Sequence, residues 1–106
     1  MPKPKEKTWK YNCDLVFNKQ LIIKFTITDH YLKKHSKVIN NQLICELVNK
    51  LDGEDLDPEP KEEEESLRDV YVWERVLHKG RKYRLIFWFK DHTTNHLWIK
   101  NCHRQD

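Results

Sequence analysis

The chain has 106 residues, 38% of them apolar and 35% charged, which predicts one domain with a modest core and a strongly charged surface. The net charge of +3 hides an asymmetry: residues 1–45 balance to +6, residues 46–69 to −8 and residues 70–106 to +5. A cationic body interrupted by one acidic block suggests a polyanion-binding surface, and no apolar run approaches the ~20 residues that span a bilayer.

Residues 1–10, with two Pro and four Lys, predict a basic flexible tail with no apolar stretch behind it, unlike a secretory signal. The single domain is then expected over residues 11–106. Tyr11–Phe17 and Leu21–Thr28 alternate as strands, with Asn18-Lys19-Gln20 as the turn. The period of two puts Leu21, Ile23, Phe25 and Ile27 on one face. Thr28-Asp29 offers an N-cap for a short helix over Asp29–His35. A second helix is predicted around Asn41–Leu51, where Leu43, Ile44, Leu47, Val48 and Leu51 form an apolar stripe that Asp52-Gly53 ends. From Glu54 to Ser66 the chain is acidic, contains Pro58 and Pro60, and reads as a mobile loop. Val70–Leu77, Tyr83–Phe89 and Leu97–Cys102 then predict three strands, with turns at Lys79-Gly80 and Asp91–Asn95. The expected fold class is α+β: a small antiparallel sheet with two helices packed on one face, in the order ββ-αα-βββ.

Several chemistries are disfavoured. Cys13, Cys45 and Cys102 are widely spaced and form no CxxC, which fits reduced thiols in a cytoplasmic protein. Six His are present, but HExxH is absent and no familiar ligand spacing occurs, so no metal is expected. Two Gly cannot build a phosphate-cradling loop, and neither Ser36 nor Ser66 lies in GxSxG. No cofactor is expected.

The last third holds the richest pattern. RKYRLIFWFKDHTTNHLWIKNCHRQD mixes cations and His with aromatic residues. Alternation puts Tyr83, Leu85, Phe87 and Phe89 on one face, and Arg84, Trp88 and Lys90 on the other. Cations set among aromatics suit a nucleic-acid backbone and its bases, and Arg81, Lys82, Trp88, Lys100 and Arg104 are the candidate binding residues. RNA supplies its own nucleophile, the 2′-hydroxyl, so metal-free cleavage needs only a base, an acid and a cation on the phosphate.

The run RKYRLIFWFKD, followed by a strand and HRQD, resembles the C-terminal half of RelE/ParE-type toxins. Tyr83-Arg84 matches the family's YR, Leu85–Phe89 its apolar strand, and Leu97–Cys102 with His103-Arg104 its final strand and basic pair. Leu43–Leu51 is placed like the second helix, and Phe25–His35 resembles a strand leading into a helix that begins with His. The acidic block is longer than in the family, and the first strand has an extra hairpin partner. The resemblance implies a toxin-like endoribonuclease (an mRNA interferase) acting on RNA, often on the ribosome, with an antitoxin protein as partner. It implies phosphate contacts from Lys79, Arg84 and Arg104 and proton transfer by His103, with His30 as a second candidate. The alternative on the same fold is a non-catalytic nucleic-acid- or protein-binding module.

Overall fold

Both hairpins are built by two-residue turns whose backbone twist suits paired strands. Asn18 and Lys19 take φ of 51° and 63° between Phe17 and Gln20, which pair. Lys79 and Gly80 take 50° and 78° between His78 and Arg81. The computed structural model describes residues 7–34, 37–60 and 68–105. Five strands form one sheet: β1 (Thr8–Phe17), β2 (Gln20–Thr28), β3 (Tyr71–His78), β4 (Arg81–Phe89) and β5 (His96–Arg104). Between β2 and β3 lie a 3-10 helix at Asp29–Lys33 and one α-helix, α1 (Asn41–Asn49).

The sheet order is β1-β2-β5-β4-β3. β5 runs parallel to β2, and the other neighbours are antiparallel. The expectation of two helices on an antiparallel sheet in the order ββ-αα-βββ is therefore corrected twice. First, the sheet is mixed, because the last strand inserts between the two hairpins instead of lying outside them. Second, only α1 is an α-helix among the described residues. The Asp29–His35 segment yields a 3-10 helix that buries Tyr31 alone, while Leu32 stays 43% exposed. The expected cap, Thr28, makes no capping bond; its hydroxyl donates to the carbonyls of Ile99 and Lys100 on β5. A segment with one buried anchor gains too little from packing to extend a helix.

Register irregularities shift the side-chain phase. Between Asn12 and Leu15 the β1–β2 ladder gains a residue, so Ile22 is fully buried and Ile23 exposed, the reverse of the strict alternation. The core cluster joins Phe17, Ile22, Phe25 and Ile27 to Leu85, Phe87, Leu97 and Ile99 of the sheet. Ile44, Leu47 and Val48 of α1 complete it, with Leu51 just beyond. Phe17, Tyr71, Phe87 and Phe89 pack within it at centroid distances of 5.3–6.0 Å.

The first half of the acidic block is tied down. Asn18 donates to the Leu56 carbonyl and accepts from its amide, at 2.9 and 2.6 Å. The Glu59 amide donates to the Val70 carbonyl at 2.7 Å. The rest of the block, 61–66, lies outside the described residues, as does most of the expected basic tail, 1–6. Thr8–Lys10 of that tail belong to β1. Among the described residues no helix is long and apolar enough to cross a membrane.

Candidate nucleic-acid interface

Alternation along β4 sorts its side chains into two sets. Tyr83, Leu85 and Phe87 are buried toward α1. Arg84, Ile86 and Trp88 point to the opposite, far face and are half-buried. Antiparallel pairing brings partners from β5 to the same face: His103 lies opposite Arg84, and Trp98 opposite Trp88. Between these two pairs the ladder is irregular, with Ile86 facing Asn101 and Phe87 facing Ile99. Lys100 is the extra residue of this bulge, a device that re-aims side chains on a strand.

Trp88, Trp98, Lys90, Lys100, Arg68 and Asp91 line a cleft of about 310 Å³ on this face. Arg68 sits over the Trp88 ring at 4.6 Å and bonds Asp91 at 2.7 Å. The Lys90 ammonium lies 5.9 Å from the Trp98 ring centre. Lys100 reaches back to the 3-10 helix, where its ammonium lies 2.5 Å from His30 Nε2. His96, at the start of β5, is 3% exposed and bonds the Thr26 hydroxyl at 2.7 Å. Burial, and then the charges of Lys90, Lys24 and Lys10, hold its pKa below the ordinary value. Burial is the larger cause; the three lysines, from β1, β2 and the residue after β4, add to it.

The proposed catalytic residues separate into groups. Arg84 and His103 face each other, with Arg84 Nε 3.5 Å from Glu74 of β3. His30 is bonded to Lys100, a residue of the cleft wall. Lys79 does not join them. It sits at the β3–β4 turn, 3.8 Å from Glu46 of α1, in a hollow with His78 and Tyr83 on the α1 side. His78 shares Glu46 at 3.3 Å. The binding set separates too. Trp88 and Lys100 line the cleft, and Lys82 lies at the far end of the same face by its place in β4. Arg81 and Arg104 fall on the α1 side, Arg104 opposite Tyr83.

Arg68, Trp98 and Asp91 also line this cleft, with His96 buried beside it, and none was singled out as a site residue. Trp98 was legible, because it lies between the apolar Leu97 and Ile99 and alternation puts it on the face away from them. Lys10 and Lys24 were not, since only the parallel β2–β5 pairing brings them to His96. The thiols stand apart. Burial pushes Cys102 up to about 12, and burial with Asp14 nearby pushes Cys13 up to about 11, so both are neutral thiols. Among the described residues no three His, Cys, Asp or Glu side chains gather as metal ligands.

Compared with protein-family models, curated proteins and solved structures, the chain matches none.

Proposed function

We propose that this chain is a toxin-like, metal-independent endoribonuclease of the RelE/ParE kind, with RNA bound across the far face of the sheet. The observation that supports this most is the juxtaposition of Arg84 and His103 on neighbouring strands, on the face that carries the cationic tryptophan cleft. In this reading the 2′-oxygen attacks the adjacent phosphorus and the bond from phosphorus to the 5′-oxygen breaks. The products are a 2′,3′-cyclic phosphate and a free 5′-hydroxyl. Arg84 stabilises the charge on the crowded phosphate, and His103 donates a proton to the leaving 5′-oxygen. His30, beside Lys100, is the candidate base that takes the 2′-hydroxyl proton. Lys79, on the other side of the sheet, has no part in this scheme. The cell compartment is the cytoplasm, the substrate RNA is free or on the ribosome, and an antitoxin protein is the natural partner.

A non-catalytic nucleic-acid-binding module is the second reading, favoured by the Glu74 carboxylate that already holds Arg84. One assay separates them. RNA is incubated with the chain in buffer containing a chelator. Cleavage should proceed, and His103→Ala should slow it by roughly 10²–10⁴-fold, the usual worth of a general acid. Cleavage abolished by the chelator, or unchanged in His103→Ala, overturns the mechanism. Binding with no cleavage selects the module.

A further inference from the structure

The far-face cleft holds two indoles that neither the core nor the cleavage chemistry accounts for. Trp9 and Trp73 pack against the core cluster, whereas Trp88 and Trp98 do not belong to it. We infer that the cleft between Trp88 and Trp98 is a subsite for one unpaired nucleobase, an inference that rests on reading the far face as a nucleic-acid surface.

Three observations carry it. Trp88 and Trp98 are direct cross-strand partners, so their side chains rise side by side from one face. Each ring already presents its π face to a cation from the cleft, Trp88 to Arg68 and Trp98 to Lys90. The Arg68 guanidinium carbon at 4.6 Å shows that the face of the Trp88 ring is open to a group from the cleft. Finally, the cleft volume of about 310 Å³ is at the small end of the ~300–1,000 Å³ typical of ligand sites, a scale that suits one nucleotide and not a duplex.

A base has two π faces and a phosphate on either side, and stacking on an aromatic ring is tolerant of sequence. When a base enters, Lys90 leaves the Trp98 ring for a flanking phosphate, and Arg68 moves off the Trp88 ring with a rearrangement of its ion pair to Asp91; Lys100, bonded to His30, stands at the cleft wall as a third cation. Bases within a duplex are already stacked on one another and cannot offer a face to a ring from the side. The subsite therefore selects single strands. Neither stacking nor a phosphate contact involves the 2′-hydroxyl, so a subsite built on these two accepts DNA as well as RNA.

A labelled thymidine oligonucleotide tests this, because it lacks the 2′-hydroxyl and cannot be cleaved by the proposed route. Fluorescence anisotropy would compare it with the same sequence as a duplex. The single strand should bind at least about tenfold tighter. Trp88→Ala and Trp98→Ala should each weaken it by roughly 5- to 150-fold, the worth of one stacked base, while Trp98→Phe keeps most of the affinity. Circular dichroism establishes that each variant is folded. Equal affinity for the duplex, wild-type binding by the folded Ala variants, or a Phe variant as weak as Ala overturns the subsite. Trp-dependent binding with RNA left intact removes the cleavage reading and keeps the subsite. RNA cleaved with no dependence on either Trp removes the subsite alone.

Discussion

His96 shows how much one side chain can owe to residues distant in sequence. Its imidazole is buried at the head of β5, bonded to Thr26 and surrounded by Lys90, Lys24 and Lys10. The folded chain therefore resists protonating it, and its pKa falls below the unfolded value of about 6.5. Just below pH 6.5 the unfolded state binds more protons than the folded one, so stability rises with pH there and levels off above it. Urea unfolding at several pH values should show this rise, and His96→Gln should flatten it. A wild-type profile with no slope just below pH 6.5 would contradict the burial argument. His103 is a different case. The sequence placed it after the last strand, but its partner Arg84 was fixed only by the β4–β5 register.

At the scale of single elements, α1 was the most legible. Its stripe of Ile44, Leu47 and Val48 is the buried one. The start signal was less plain, because two Asn are adjacent there. Asn40 is the cap: its backbone is extended and its side chain accepts the Leu43 amide at 2.8 Å. Asn40→Ala should cost about 0.5–2 kcal/mol, and Asn40→Asp much less, read from the urea midpoint. A neutral Asn40→Ala would mean that packing alone holds the first turn. The 3-10 helix was over-read, since a polar run with one cap and one anchor looks like a helix until its hydroxyl is taken by a neighbouring strand. In β2 the expected phase holds at Phe25 and Ile27 and fails at Leu21 and Ile23, because the ladder irregularity opposite Ile23 exchanges the faces there. Such a shift leaves no mark in the residues themselves.

The whole molecule turns on β5, which pairs with β2 on one side and β4 on the other. A strand bonded along both edges opens only when the sheet does. Amides of Leu97–Ile99 should therefore exchange at the rate of global unfolding, and those of edge strands β1 and β3 faster. Uniform protection across all five strands would show that the sheet opens as a unit. The same placement brings Lys100 of β5 to one cleft with Arg68 from the segment before β3, and into contact with His30 of the 3-10 helix.

By itself the sequence determined which segments are strands, where the hairpins turn, which stripe of α1 is buried and that Arg84 and Trp88 share the face of β4 away from the core. These follow from local periodicity and turn chemistry, which act over a few residues. Only the tertiary structure decided that β5 runs parallel to β2, that Arg84 meets His103 while Lys79 goes to Glu46, and that Trp88 and Trp98 share a cleft. Strand order and register depend on which edges and faces meet when the whole core is buried at once, and side-chain identity along a single strand does not encode its neighbour.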